Sequence, residues 1–456
     1  MVGLGHDQVR RYACAMDILD LPRSPAAPFC PREIRGQVPV PRNLSRARRL
    51  YLSAGPGLLV AVGYMDPGNW ATDIEAGSRY GYDLLFVVLL CGLGAILLQW
   101  LAMRLGLASG RDLARTARDR YSPAQCRSLW LLAELAIIAT DVAEVLGTAL
   151  AFSLLLGVPL WTGVLLTGLD TLIVLGLRGQ GFRQLEAIIL GLVLTIGACF
   201  AVQLAISQPS PAGLIHGAMP KFDILADPHA LYLAVGILGA TVMPHNLYLH
   251  SAIVQIRLPA ANEPATRQAA RFATMDIIAA LLLATLINAA ILSLSAATFH
   301  ANGFAEVAEI EDAYRLIEPI TGAAAAATLF GVALLAAGQS ATFTGTIAGQ
   351  VILEGFIDLY IPCWLRRVIT RGLALIPALA GILWFGDDAV GKLLVLTQVV
   401  LSLQLPFAIY PLIRFTSDHR IMGPFASGPL VRFVAWSLFA LIVAANLWLV
   451  ASWLLG

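Results

Sequence analysis

Two short polar segments interrupt apolar stretches of the sequence, and their residue types are suited to holding a cation. The first is DPGN at residues 66–69 and the second is MPHN at residues 243–246, so both have the pattern x-Pro-x-Asn. An ionised carboxylate in hydrocarbon costs ~2.5–3.5 kcal/mol on insertion scales, and a broken helix leaves backbone groups without partners. We therefore expect the two segments to have a functional role.

The prolines determine which backbone atoms each break sets free. Proline has no N–H, so the carbonyl four residues earlier loses its helical donor. That carbonyl belongs to Gly63 for Pro67 and to Ala240 for Pro244. Three side-chain ligands stand beside these carbonyls: the Asp66 carboxylate, the Asn69 amide oxygen and the Met243 thioether.

The thioether narrows the class of ion. Oxygen ligands alone suit Mg²⁺ or Ca²⁺, whereas a thioether favours softer transition metals. Met243 therefore favours Mn²⁺ or Fe²⁺, with Cd²⁺ or Co²⁺ also able to bind. The alternative is that Met243 is a packing residue, as most methionines in spans are.

Three acids in one apolar stretch form a second candidate group. Glu134, Asp141 and Glu144 lie within ~80° of one helical face at 100° per residue. Intramembrane acids of this kind are typical of proton relays, although Glu134 could simply be solvated at a helix end.

His245 could titrate near neutral pH, either on a proton path or as a polar residue lining a hydrated cavity. No catalytic constellation accompanies these residues, so we do not expect an enzyme.

The composition identifies the environment of these residues. The chain has 456 residues, of which 58% are hydrophobic and 13% charged, and its mean hydropathy is +0.76. Soluble domains have ~25% charged residues, so we expect an all-α integral membrane protein. Eleven apolar stretches have the length of a membrane-spanning helix: 50–76, 83–108, 128–155, 158–177, 183–206, 231–256, 272–298, 323–354, 367–386, 391–415 and 430–455.

The two breaks fall five spans apart, in the first and sixth stretches. Paired interruptions at corresponding positions are typical of inverted-repeat transporters, so we expect a 5+5 repeat with one added helix. The expected division is a cytoplasmic tail (1–49), a first repeat (50–206), a second repeat (207–415) and helix 11 (416–456). Arginines recur in every second loop, which places the N-terminus in the cytoplasm and the C-terminus outside. Short tails and an Ala/Leu/Arg-rich composition favour a bacterial plasma membrane.

Five motifs resemble the NRAMP family (natural-resistance-associated macrophage proteins): DPGNWATDIEAGSRYGYDLL, ATDVAEVLGTAL, GATVMPHNLYLHSA, LLAAGQSATFTGTIAGQ and LVLTQVVLSLQLPFAIYPL. The resemblance runs from about Arg49 to the end of the chain. It implies a proton-coupled importer of divalent transition metals with a LeuT-like fold.

The resemblance also implies roles for individual residues. It makes Asp66, Asn69, Ala240 and Met243 the metal site, with protons carried by the helix-three acids. Gly63 takes the place of a residue whose carbonyl joins the site in some states. Gln398 matches a glutamine of the tenth helix that approaches the metal when the site closes. Arg366 and Arg367 match basic residues that pair with acids on the proton path, although they also satisfy the orientation rule unaided.

Two other functions stay open on the residues alone. The chain could be a Mg²⁺ carrier or a sodium-coupled organic-solute carrier on the same fold. Magnesium-carrying relatives lack the methionine, and a carrier of amino acids would not need a methionine beside an acid. It could also be a metal-binding membrane sensor, although the short cytoplasmic loops offer no output domain. We expect no resident cofactor and no nucleic acid partner. The expected partners are divalent metal ions and protons as transported substrates, and the lipid bilayer around a monomer.

Overall fold

The structure is a computed structural model, and all regular structure in the residues it describes is helical. The described residues are 40, 45–169, 182–257, 263–304, 307–359, 361, 363–386 and 390–455. Most of the expected N-terminal tail and the end of the fourth stretch lie outside these ranges, as does the side chain of Arg367.

The first half of the chain contains the first interrupted helix. Between its two parts, Val62–Met65 forms a single 3₁₀ turn. In chain order, the helices of this half are α1 (Arg46–Ser53), α2 (Pro56–Ala61), α3 (Pro67–Tyr80), α4 (Leu85–Ser109), α5 (Leu113–Arg120), α6 (Pro123–Leu156), α7 (Leu160–Thr167) and α8 (Phe182–Ser207).

The second half contains the second interrupted helix, split between α10 and α11. Its helices are α9 (Pro211–Gly217), α10 (Pro228–Val242), α11 (Pro244–Ile253), α12 (Glu263–Thr298), α13 (Ile310–Thr321), α14 (Ala324–Ile357), α15 (Cys363–Phe385), α16 (Val390–Ser417), α17 (His419–Met422) and α18 (Pro429–Leu455).

Eight helical segments of the described chain are long and apolar enough to cross a membrane, and two shorter apolar segments include Pro56–Met65. Both breaks fall where the prolines predict them, since Pro67 and Pro244 are the first residues of α3 and α11. The ranges 128–155 and 323–354 are the two longest of the eleven predicted stretches, and the helices at these positions, α6 and α14, each have 34 residues. The total of eleven spans stays a prediction.

The first span differs from its predicted range of 50–76. It begins at Pro56 and ends at Tyr80, and α1 precedes it as a separate helix. The cause is local: Gly55 has φ 137° and Pro56 follows it, a conformation that only glycine adopts readily. The hydropathy pattern also does not predict the short helices in the connections, namely α5, α9 and α13.

The two interrupted helices pack in the centre of the bundle, and α16 lies against both. α3 and α10 each contact α16, while α6 packs along α14 and α12 packs against α3. Gly68 and Gly239 permit this approach: a Cβ at Gly68 would collide with the Gln398 side chain, and one at Gly239 with the Gln398 carbonyl and the Ser402 nitrogen. Gln398 is therefore held between the two breaks and is fully buried.

We predict that Gly239→Ala lowers the thermal unfolding temperature of the purified protein. The added methyl would meet fixed backbone atoms of α16, and overpacking of this kind costs ~1–3 kcal/mol. The matched control is Gly191→Ala in α8, where a Cβ would meet nothing within 4 Å. Equal unfolding temperatures for the two variants would contradict the packing of α10 on α16.

Candidate metal-ion site

The first break is stabilised by side chains that replace the lost helical hydrogen bonds. Asp66 caps α3, and its Oδ1 accepts a hydrogen bond of 2.9 Å from the Asn69 N–H. The Tyr64 carbonyl accepts hydrogen bonds from the side-chain amides of Asn69 and Asn288, the latter at 2.9 Å. The Met65 carbonyl accepts one from the Trp70 indole at 3.2 Å. These bonds fix the orientation of Asp66 and Asn69.

The second break depends on the backbone of Met243, which lies between α10 and α11 as the cap residue of both. Its φ of 37° and ψ of 105° lie in a region that is rare for a residue other than glycine. Strain of this kind persists only where the surroundings enforce it, and it is common at functional sites. The Met243 thioether is fully buried and accepts a hydrogen bond of 3.6 Å from the Asn246 side-chain amide.

The two breaks face each other across Gly63. A Cβ atom on Gly63 would lie 3.3 Å from the Met243 sulfur and would collide with the Asn246 amide nitrogen. On the opposite side, Gly147 of α6 allows Pro67 to pack directly against its backbone. The polar residues of both breaks therefore share one buried region.

Several oxygens in this region have no hydrogen-bond donor among the described residues. They are Asp66 Oδ2, Asn69 Oδ1, Asn246 Oδ1 and Gln398 Oε1. Buried polar atoms normally have partners, and each exception needs an explanation such as an ion or water. Other unpartnered oxygens exist in the described chain, but these four belong to the two breaks and to the glutamine held between them. Lone-pair atoms without donors are suited to a cation.

The donor set contains only one carboxylate. Within the described residues, no group of three or more His, Cys, Asp or Glu side chains is arranged to hold a metal. The candidate ligands are instead one carboxylate, three amide oxygens, one thioether and the Ala240 carbonyl at the end of α10. Asn246 was not among the residues predicted from sequence, although the x-Pro-x-Asn repeat places it opposite Asn69.

Two of the three predicted proton-path acids, Asp141 and Glu144 of α6, face the same residue of α14, Gly345. A Cβ on Gly345 would lie 3.0 Å from Glu144 Oε1 and 3.5 Å from Asp141 Oδ1. The Thr342 hydroxyl donates to Glu144 Oε2 at 3.1 Å. Asp141 and Glu144 are 8% and 1% exposed, so both lie in the interior between α6 and α14.

Glu134 lies apart from that pair and forms a salt bridge with Arg366. Arg366 Nη2 is 2.8 Å and 3.1 Å from the two carboxylate oxygens, and Trp130 Nε1 donates to Glu134 at 3.0 Å. The Glu134 side chain is 17% exposed, so the simple solvation considered from sequence does not describe it.

His245 and His250 both reach neighbouring helices. His245 Nδ1 is 3.4 Å from the Thr140 hydroxyl of α6, next to Asp141 in the sequence. His250 Nδ1 is 2.9 Å from Gln99 Oε1, and Gln99 Nε2 donates to the Tyr64 hydroxyl at 2.8 Å. The sequence analysis did not predict this link from His250 through Gln99 to Tyr64. An isolated glutamine within the apolar α4 was the one sequence signal that pointed to it.

A helical bundle with two interrupted, mutually facing helices is the architecture of a secondary transporter with a LeuT-like fold. The profile described as natural resistance-associated macrophage protein-like (Nramp) matches residues 57–452. The chain belongs to the Nramp family, and it is a membrane-embedded transporter rather than an enzyme.

Individual relatives agree with this assignment. The chain is 62% identical over 436 residues to the divalent metal cation transporter MntH of Ralstonia nicotianae, covering 96% of this chain and 99% of the relative. It is 52% identical to MntH of Nostoc sp., covering 93% and 96%. A mutant of the Eremococcus coleocola manganese transporter superposes with a TM-score of 0.85 at 37% identity, covering 91% and 89%.

A more distant structure resembles the fold alone. MHP1, a transporter of the nucleobase-cation-symport-1 family, matches with a TM-score of 0.56 at 15% identity, covering 88% of this chain and 93% of that one.

We predict that Asn246→Ala weakens Mn²⁺ binding by about tenfold, the loss expected when a residue supporting a metal site is removed. The variant loses an unpartnered oxygen and the hydrogen bond to the Met243 sulfur. Isothermal titration calorimetry on the purified protein measures the change. The control is Asn302→Ala, whose amide bonds the Thr298 carbonyl. Unchanged affinity in Asn246→Ala would exclude Asn246 from the site.

Proposed function

We propose that the chain imports divalent transition-metal ions, Mn²⁺ or Fe²⁺, together with protons by alternating access. The observation that carries the proposal is the buried Met243 thioether beside the unpartnered oxygens of the two breaks. A site built on hard oxygens alone would bind Mg²⁺ or Ca²⁺ equally well. The sulfur gives a softer transition metal an advantage, and Cd²⁺ and Co²⁺ would share it.

The proposed ligands are Asp66, Asn69, Met243 and the Ala240 carbonyl, with Asn246 added from the structure. Gln398 supports the proposal because it is buried between the two breaks and its Oε1 has no donor in the described chain. The Gly63 carbonyl stays a proposed ligand in some states of the site. The lack of a side chain at Gly63 also lets the Met243 sulfur and Asn246 approach the first break. Metal is the transported substrate, and we propose no resident cofactor.

The proposed proton route runs along α6. His245 of the second break lies 3.4 Å from Thr140, and Asp141 and Glu144 follow Thr140 along α6. Glu134, paired with Arg366, lies about two turns earlier on the same helix. Acids lined up on one intramembrane helix provide sites that accept and release protons in turn. For Arg367, the family resemblance alone supports a place on the proton route.

A broad Mg²⁺-type carrier and a metal sensor are the competing proposals. The Met243 thioether argues against the broad carrier, because it favours softer transition metals over Mg²⁺. The relatives are named divalent metal cation transporters, and a structural relative is named a manganese transporter, which argues against the second. We further propose a monomer in the bacterial plasma membrane, with the N-terminus in the cytoplasm and the C-terminus outside.

We predict that Met243→Ala removes selectivity rather than transport. Mn²⁺ uptake into proteoliposomes under an inward proton gradient is measured with and without a large Mg²⁺ excess. Native protein resists Mg²⁺, whereas uptake by the variant falls to near background in that excess because the thioether no longer favours the softer ion. The control is Met103→Ala, a buried methionine of α4.

The outcomes separate the three proposals. Equal Mg²⁺ sensitivity in native protein and Met243→Ala would make Met243 a packing residue and favour the broad carrier. Mn²⁺ binding without uptake in the native protein would favour the sensor.

We predict that Asp141→Asn and Glu144→Gln abolish proton entry coupled to Mn²⁺. An amide cannot accept and release a proton in the way that a carboxylate does, so the relay is interrupted. A pH-sensitive dye inside the liposomes reports the flux, which should equal that of liposomes without protein. Glu311→Gln, at an ion pair with Arg315 outside the bundle core, should leave the flux unchanged. Native proton flux in both α6 variants would rule out this route.

A further inference from the structure

A small cavity lies where α1, the last turn of α4 and the first turns of α12 meet. Its volume is about 50 Å³, several times the ~10–15 Å³ that one water needs. Its lining is divided: Arg49, Arg257 and Gln268 are polar, whereas Leu107 and Phe272 are apolar. None of the candidate metal-site residues lines the cavity.

Arg257 lines this cavity, and its guanidinium carries one donor without a partner among the described residues. The residue is 6% exposed. Its Nη2 bonds Glu186 at 2.6 Å and the Ala54 carbonyl at 2.9 Å, and its Nε bonds the Leu52 carbonyl at 3.2 Å. Nη1 is buried and has no hydrogen-bond partner among the described residues. A buried guanidinium N–H without an acceptor is costly, so an acceptor at this position would be stabilising.

Arg49 presents a second such group from α1. Its Nη1 donates to Gln268 Oε1 at 3.0 Å, and its guanidinium lies 5.7 Å from the centre of the Phe272 ring. Its Nε is buried and unpartnered within the described chain. No carboxylate of the described residues pairs with Arg49, since its contacts are an amide and an aromatic ring.

Arg49 and Arg257 line the cavity with no described carboxylate in the lining, and together with the charged groups that act on Arg257 they form a cluster with an excess of one positive charge. Arg49, Arg183 and Arg257 contribute three cations, and Glu186 and Asp276 contribute two anions. Glu186 is paired with Arg257 and Arg183, and Asp276 accepts hydrogen bonds from the Gly55 and Gly57 N–H groups at 3.1 Å and 2.7 Å. The excess cation and both free N–H groups favour an anionic acceptor.

An exposed apolar surface on α12 begins three residues after Phe272, which lines the cavity. Residues on this surface are each at least two-fifths exposed: Met275, Ile278, Leu282 and Leu286. A molecule with an anionic head in the cavity could lay hydrocarbon chains along this surface. Basic pockets between membrane helices are known binding places for anionic lipid headgroups.

We propose that this cavity binds the phosphate of an anionic phospholipid, with Arg49 Nε and Arg257 Nη1 as donors and the acyl chains along α12. The lipid would join α1, which leads into the first interrupted helix, to the beginning of α12. The proposal concerns binding and is independent of the metal transported.

The test compares three probes on the full chain in detergent: dioctanoyl phosphatidylglycerol, dioctanoyl phosphatidylcholine and inorganic phosphate. Native mass spectrometry counts bound lipid, and thermal unfolding follows stabilisation. We expect phosphatidylglycerol alone to bind and to raise the unfolding temperature. Arg49→Gln should weaken binding by about tenfold or more, the loss of one charge-assisted hydrogen bond. Arg48→Gln, on the exposed side of the same helix, should not.

A second variant keeps the proposal testable if Arg49→Gln proves unstable. Ala269→Leu fills the cavity from α12 without changing charge, and it should also remove lipid binding. Stabilisation by inorganic phosphate alone would assign the site to a free anion and overturn the lipid assignment. Equal losses in Arg48→Gln and Arg49→Gln would indicate a general surface charge effect, and unchanged binding in Ala269→Leu would place the lipid elsewhere. Either result would overturn the proposal.

Discussion

The structure depends on satisfying the backbone at two helix breaks inside a low-dielectric bundle. A span in hydrocarbon cannot leave carbonyl and N–H groups bare, so irregular backbone requires side chains in fixed positions. At the first break, Asn69, Trp70 and Asn288 provide hydrogen-bond donors and Asp66 provides an acceptor. Bonds that preserve the fold thus also hold candidate ligands in place. A substitution that removes one of these hydrogen bonds should therefore affect both the positions of the candidate ligands and the stability of the fold.

The second break is maintained by packing more than by capping. No side chain caps α11, and Met243 carries a positive φ. Close packing surrounds this residue, with Gly239 against the backbone of α16 and Gly63 against the Met243 sulfur and the Asn246 side chain. The two breaks thus share the same proline and asparagine positions while differing in how each break is held.

The sequence predicted the breaks because proline acts locally, and it predicted the acids of α6 because charge in an apolar helix is conspicuous. Contacts between helices that are far apart in the sequence could not be predicted from such local signals. Gln398 was suggested only by family resemblance, since nothing local distinguishes a glutamine that two glycines will enclose. Asn246 could have been found by extending the repeat. The separation of α1 from α2 was missed because the span was defined by hydropathy alone, although the Gly55-Pro56 pair is itself a local turn signal.

The single carboxylate at the breaks has an electrical consequence. A dication held by Asp66 and otherwise neutral ligands gives the loaded site a net charge of +1, whereas the empty ionised site carries −1. The membrane voltage acts differently on these two forms, at ~2.3 kcal/mol per elementary charge per 100 mV. If the interior is negative, voltage would favour inward movement of the loaded site and oppose inward movement of the empty one. A site with two carboxylates would be neutral when loaded and would lose the voltage assistance on that step.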